Sequence, residues 1–199
     1  MINKLVDNLT TALSGIEDGS TILVSGFGNA GTPVRLLEAL IDQGATNLTI
    51  VSNNAGEGEF GLAALMKARR VRKVICSYPR SSGSVIFEEL YAQGEIELEV
   101  VPQGTLSERM RAAGAGIGGF FTPTSAGTLL GNKKETREIE GRLHVFETPL
   151  KGDVALIKAH EGDRWGNLTY NKSARNFGPV MAMSANITIA EVKTIKELG

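Results

Sequence analysis

The sequence predicts an α/β protein built on a mostly parallel sheet. Strand-like and helix-like patterns alternate from the N-terminus to about Gly114. The connections between them are too short for anything but βαβ units, whose crossovers are right-handed. Polar and glycine-rich clusters stand where the strands end, which is where such sheets bind their ligands. A chain of 199 residues is long enough for one domain with a proper core. One domain over 1–199 is therefore expected, with a glycine-rich loop and hairpin insertion at about 114–150.

Leu5, Leu9, Leu13 and Ile16, with Val6 beside them, share one face at helical spacing, so an amphipathic helix should open the chain. Asp18-Gly19 is a turn, Thr21 to Ser25 a buried strand, and Gly26 to Gly31 a glycine-rich turn. Pro33 suits the first turn of the next helix, where its missing N–H would be unpaired anyway. That helix covers Val34 to Gln43 and Gly44 closes it. Leu48 to Ser52 is a second buried strand, ending in Asn53-Asn54-Ala55-Gly56. A helix over Phe60 to Ala68 leads through the basic run Arg69 to Lys73 to a strand over Val74 to Tyr78. Val85 to Gln93 is helical and stops at Gly94. Glu95 to Val100 alternates strictly, so one side is buried and the other wet. It ends in Pro102-Gln103-Gly104, before a short helix over Leu106 to Ala113.

Beyond Gly114 the pattern breaks. Gly114 to Gly131 is glycine-rich and apolar without a period, and reads either as a buried active-site loop or as a mobile lid. Thr136 to Phe146 is a hairpin turning at Glu140-Gly141, and Val154 to Ile157 and Ile187 to Ala190 are two further strands. Between those strands, Gly162 to Pro179 is turn-rich, with Trp165 and Phe177 as its expected anchors.

Composition narrows the function. Apolar residues make up 42% and charged residues 22%, with a formal net charge of -1. That balance suggests neither a nucleic acid nor an acidic membrane surface as partner. No apolar run approaches the ~20 residues needed to span a bilayer, and the N-terminal stretch lacks the form of a signal peptide. Cys76 is the single cysteine, which suits a reducing compartment. The expected location is the cytoplasm.

Gly26-x-Gly28-x-x-Gly31 matches the dinucleotide fingerprint in form, between a strand and a helix. Its N–H groups, beside a helix N-terminus, favour an anionic or oxyanionic ligand. The second strand, however, ends in Ser52-Asn53-Asn54, where the fingerprint wants an acid for the ribose hydroxyls, so an NAD site is disfavoured. Cys76, inside an apolar strand, reads as a packed and inert thiol. His144 reads as solvated, whereas His160, taken to end a strand beside Lys158, either touches a ligand or does not. Glu57 and Glu59 are either general bases or first-turn carboxylates favouring a helix dipole. Arg69 to Lys73 is either a phosphate site or a solvated helix end. No spacing suggests a metal, and the G-x-S-x-G elbow of serine hydrolases is missing. The residues offer polar positioning groups without a credible nucleophile, which fits half of a binding site.

Asp18 to Pro33 resembles the first signature of the class I (3-oxoacid) CoA-transferases, as found in their A subunits. The resemblance continues through Ser52 to Gly56, Val101 to Gly104, Phe121 to Thr124, Gly162 to Asn167 and Lys172 to Phe177, and so covers nearly the whole chain. One departure is Ser25, where the family has a glycine and where a Cβ should narrow the loop slightly. Within the family, Ile96 to Gly104 and Ala155 to His160 are most similar to the branch acting on 3-oxoadipate, with the acetoacetate enzymes as near neighbours.

The resemblance implies a three-layer α/β/α sandwich, shared with sugar-phosphate isomerases of the ribose-5-phosphate type. It implies catalysis by a glutamate that attacks a CoA thioester. That glutamate lies in a Ser-Glu-Asn-Gly motif, absent from this sequence and carried by a partner B subunit. An A2B2 heterotetramer would follow, with the CoA thioester as substrate and neither a resident cofactor nor a metal. Gln103 would donate to an oxyanion, Asn53 and Asn54 would line the same place, and Ser25, Gly26, Phe27, Gly28, Asn29, Ala30 and Gly31 would hold CoA or the acyl group against the backbone. The rival readings are an isomerase, an NAD-binding oxidoreductase and a scaffold subunit.

Overall fold

In the computed structural model, which describes residues 2–80 and 83–198, the chain forms a seven-stranded sheet between two helical layers, with a small second sheet at one side. The strands of the large sheet are β1 (Thr21–Val24), β2 (Leu48–Asn54), β3 (Val71–Tyr78), β4 (Glu97–Val100), β8 (Gly152–Gly162), β9 (Leu168–Thr169) and β10 (Ala185–Ile195). Their order is β10-β8-β1-β2-β3-β4, parallel throughout, while the short β9 pairs antiparallel with β8. The chain starts at β1, winds outward to β4, and returns on the other side of β1. A topological switch point therefore lies between β1 and β8, and the carboxyl ends of both open onto it.

Burial explains the order. β2 is buried at every position and β1 at all but its first, whereas β4 and β10 are edges with half-exposed residues. One core lies beneath α2 (Val34–Gln43), α3 (Leu62–Lys67) and α4 (Val85–Ala92), around Leu37, Leu40, Ile50 and Leu65. The other lies beneath α5 (Gln103–Gly114) and α6 (Gly178–Ser184), around Leu23, Val51, Leu106 and Met181. Successive residues of a strand face opposite sides, so β2 sends Ile50 to one core and Val51 to the other. α2 ends as the sequence predicts: Gly44 takes φ +98° and its N–H returns to the Leu40 carbonyl.

Several elements differ from the sequence reading. The first helix, α1, covers only Leu9–Leu13, and Leu5 and Val6 are exposed ahead of it. Asn8 caps it by accepting from the Thr11 N–H, so the chain enters the helix four residues later than the apolar spacing suggests. Gly114 to Gly131 is not without regular structure. It carries β5 (Phe120–Thr122), which joins β6 (Thr136–Ile139) and β7 (Arg142–Glu147) in a separate three-stranded antiparallel sheet. Phe121 packs on Phe146 there, and Glu140 and Gly141 both turn at positive φ. Phe177 is buried as an anchor, but Trp165 is half exposed and lies beside the Arg164 guanidinium.

The basic run is consumed by structure. Arg70 donates to the Gly44 and Ile41 carbonyls at the end of α2, and Arg69 pairs with Glu95. Arg72 and Lys73 already belong to β3 and pair with Glu97 and Glu99 on β4. Only Arg69, exposed just past the end of α3, fits the reading of a solvated helix end.

Candidate functional site

The glycine stretch after β1 folds into a miniature hairpin. Phe27 and Ala30 exchange both backbone hydrogen bonds, at 3.0 and 3.2 Å. Gly28, at φ +56°, takes the first central position that a type II′ turn reserves for glycine. The Thr32 hydroxyl donates to the Gly28 carbonyl at 3.1 Å. Ser25 is buried rather than facing a ligand: its hydroxyl donates to the Gly31 carbonyl (2.7 Å) and accepts from the Lys158 N–H on β8 (3.1 Å). Its extra atoms tie the foot of the loop to the neighbouring strand, so the departure from glycine staples the loop instead of narrowing it.

The third glycine of the fingerprint serves a different purpose from the dinucleotide one. A Cβ on Gly31 would stand 2.5 Å from the Ala174 carbonyl oxygen and 2.8 Å from Asn176 Nδ2. The segment over 171–177 crosses the loop there, and only a glycine lets it pass. The helix N-terminus behind the loop is also occupied. The Arg35 N–H at the start of α2 donates to Glu191 Oε2 (3.1 Å), and Lys158 Nζ lies 3.0 Å from the other oxygen of that carboxylate. The chain thus supplies its own anion at the place a dinucleotide phosphate would need.

A cleft opens between this loop (Gly26, Gly28, Asn29, Thr32), the end of β2 (Ser52, Asn54) and the segment leading into α3 (Gly56, Glu57, Phe60, Gly61, Leu62). The N–H groups of Gly28, Asn29 and Gly31 have no partner among the described residues. Phe27 and Ala30, both exposed, form the outer part of the hairpin. Glu57 lines the cleft, whereas Glu59 pairs with Lys67 at 3.3 Å; both precede α3 and neither is a first-turn carboxylate. His160 lies inside β8, short of its end, and does not line the cleft.

Asn53 and Asn54 belong to β2 itself and, as strand neighbours, face opposite sides. Asn54 lines the cleft and accepts the Gly56 N–H at 2.9 Å, closing the turn that leaves the strand. Asn53 lies on the α5 side. Its Oδ1 accepts from the Ser77 hydroxyl and from Gln103 Nε2, both at 2.7 Å. Gln103 opens α5 rather than sitting in a loop, and is exposed. Within this chain Asn53 and Gln103 thus form one cluster, while Asn54 lines the cleft from the other face of β2.

These bonds set which way the Asn53 amide lies. Its oxygen is taken, and its NH2 has no partner among the described residues. Below the cluster, Arg109 of α5 reaches Glu99, which also binds Lys73 at 2.6 Å. Burial pushes the Glu99 carboxyl up, but hydrogen bonds and charge from Lys73 and Arg109 outweigh it and hold it below its ordinary value. Cys76, on the adjacent β3, is fully buried, and desolvation pushes its thiol up to about 12. It is no nucleophile at neutral pH. Among the described residues no group of His, Cys, Asp and Glu could hold a metal ion.

Asn176, Thr32, Ser77 and Glu191 were not singled out by the sequence reasoning. Thr32 bonds back to Gly28 within the loop, whereas the partners of Asn176, Ser77 and Glu191 lie far away or on another strand, the bond from Gly26 to Asn176 spanning 150 residues. A local pattern carries no sign of such a contact. Only the resemblance through Lys172 to Phe177 passes over Asn176.

Comparison with known proteins agrees with this geometry. A Pseudomonas putida protein, named as the A subunit of 3-oxoadipate CoA-transferase, is 63% identical over all of this chain and 86% of its own length. A Helicobacter pylori protein, named as the A subunit of succinyl-CoA:3-ketoacid coenzyme A transferase, is 45% identical over all of this chain and 84% of its own. The crystal structure of glutaconate coenzyme A-transferase from Acidaminococcus fermentans superimposes with a TM-score of 0.82 at 20% identity, covering 95% of this chain and 67% of that one, which speaks to the fold alone. The family described as Coenzyme A transferase matches residues 6–199, and the chain belongs to the coenzyme A transferases.

Proposed function

We propose that this chain is the A subunit of an enzyme that moves CoA from succinyl-CoA to 3-oxoadipate, within the degradation of aromatic compounds in the cytoplasm. The observation that carries the reading is the 63% identity, over the full chain, to a protein of that name. The site supports it by what it contains. It offers backbone N–H groups, the Asn53 NH2 and the second N–H of Gln103, and its one carboxylate is Glu57, with no base within hydrogen-bond reach among the described residues.

The nucleophile is then a glutamate of a B subunit, and the two chains assemble as A2B2. Its carboxylate attacks the succinyl thioester carbonyl, the C–S bond breaks, and an anhydride and CoA thiolate form. The thiolate attacks the glutamyl carbonyl of that anhydride, releasing succinate and leaving a glutamyl-CoA thioester. The 3-oxoadipate carboxylate reverses the sequence and takes the CoA. Each step passes through a tetrahedral oxyanion. Donors held in place before the charge develops stabilise it without reorganisation. In this chain those are the Asn53 NH2, whose oxygen is fixed by Ser77 and Gln103, and Gln103 itself. Asn54 shapes the cleft floor, and Gly26 to Gly31, with Ser25 stapled beneath, carries the thioester end of the substrate.

The test is CoA transfer from succinyl-CoA, with this chain alone and co-expressed with its B partner, offering 3-oxoadipate and acetoacetate. Activity with the partner only, and mainly on 3-oxoadipate, is expected. Preference for acetoacetate would move the acceptor to that of the 3-ketoacid relatives and keep the mechanism. Transfer by this chain alone would make Glu57 the nucleophile and overturn the shared site.

A further inference from the structure

The hairpin at Gly26 to Gly31 is closed by its own Phe27–Ala30 bonds and held by the Ser25 and Thr32 hydroxyls, each of which reaches a single carbonyl of the loop. One further side chain ties both of its arms at once. Asn176 Oδ1 accepts the Gly26 N–H at 3.1 Å, just before the hairpin, and Asn176 Nδ2 donates to the Ala30 carbonyl at 2.8 Å, at the end of its returning arm. An amide presents an acceptor and a donor side by side, so it can tie one arm by its oxygen and the other by its nitrogen. Asn176 is itself fixed. Its oxygen also accepts the Phe177 N–H (2.7 Å), its nitrogen also donates to the Ser173 carbonyl (3.1 Å), and Phe177 is buried in the core beneath α6. Gly31 has no side chain to push this clamp away.

We infer that Asn176 is a positioning residue for the thioester: it sets the width of the glycine hairpin and so presents the free N–H groups of Gly28 and Asn29 along the cleft. The inference rests on the reading that this loop carries the thioester end of succinyl-CoA. Asn176 touches no reacting atom and acts only through the loop. A side chain that merely supported the fold would, when removed, lower stability and the fraction of active enzyme. A positioning residue changes how well the thioester is held.

The experiment compares Asn176→Ala, Asn176→Asp and Gly28→Ala in the assembled A–B enzyme, measuring kcat, KM for succinyl-CoA and the thermal midpoint. Gly28→Ala places a methyl group at the cleft wall, where nothing nearer than Glu57 Oε1 at 3.9 Å stands, but strains the turn at φ +56°, a cost the thermal midpoint reads separately from KM. Asn176→Ala is expected to raise KM for succinyl-CoA about tenfold, the equivalent of about 1.4 kcal/mol, with kcat within about threefold and a lowered midpoint, since the Gly26 N–H loses its acceptor. Should the alanine variant fail to assemble, Asn176→Asp answers the same question. It keeps the volume and the acceptor for Gly26 but sets an oxygen against the Ala30 carbonyl, and the same rise in KM is expected. A fall in kcat or midpoint with KM unchanged, or no change at all, would overturn the clamp. If Gly28→Ala raises KM while both Asn176 variants do not, the clamp falls and the loop reading stands. If none of the three moves KM, the loop reading itself falls.

Discussion

The two asparagines at the end of β2 open onto two differently built regions. On the Asn54 side the working surface is backbone: a glycine hairpin held in place by Ser25, Thr32 and Asn176 from beneath and beside it. On the Asn53 side it is made of side-chain amides, set by a hydroxyl and by each other, on a helix anchored through Arg109 to Glu99. A backbone surface tolerates no added atoms where it is crossed, whereas an amide cluster tolerates change of volume but not loss of a donor. The difference suits the two tasks proposed for them, carrying a substrate on one side and meeting a developing charge on the other.

The largest effect should come from the amide side. Gln103→Ala in the assembled enzyme removes one donor and leaves the Asn53 oxygen to Ser77 alone, and is expected to lower turnover by roughly 10²–10³, about 3–4 kcal/mol, with little change in stability because Gln103 is exposed. Steady-state kinetics decides it: a loss below about fivefold removes Gln103 from this role.

On the backbone side the effect should fall on stability. Gly31→Ala drives a methyl group into the Ala174 carbonyl at φ +77°, and overpacking together with left-handed strain should cost about 3 kcal/mol in urea unfolding. Gly44→Ala shares the positive φ but meets nothing within 4 Å, so it should cost only about 1 kcal/mol. Equal costs would mean that the crossing segment yields and the loop is not pinned.

The smallest effect concerns the anchor of α5. Glu99 is held below its ordinary value of 4.5 in the folded protein. Its ionised form therefore adds stability that is complete above 4.5 and is lost as pH falls through the lower folded value. Because Glu99 is partly exposed, that contribution is below about 1 kcal/mol. Glu99→Gln should lower the thermal midpoint slightly at pH 7, and the difference from the parent should vanish in acid. A difference that persists there would mean that Glu99 holds α5 by packing rather than by charge.

Much of the frame can be read from the residues in order. The apolar runs of Thr21 to Val24 and Leu48 to Ser52, the glycine at 44 and the turn at Glu140-Gly141 each announce their structure, because propensity, burial and turn chemistry act within a few residues. The boundaries that moved did so for tertiary reasons. β2 runs on through Asn53 and Asn54 because β3 pairs with it as far as Tyr78, and β3 starts early because Arg72 and Lys73 find carboxylates on β4. Phe120 to Thr122 became a strand because β7 lies beside it.

The site divides in the same way. The glycine loop, Asn53, Asn54 and Gln103 are visible as polar punctuation at strand ends. Which of them meet depends on strand alternation and on partners elsewhere in the chain. Residue order is enough to give the parallel sheet and to place the glycine loop, Asn53, Asn54 and Gln103 at the carboxyl ends of its strands. Only the tertiary structure decided that Glu191 fills the helix N-terminus, that Asn176 closes the loop and that Asn53 and Asn54 part company. Those choices are made by hydrogen bonds spanning up to 156 residues, and no local energy term contains them.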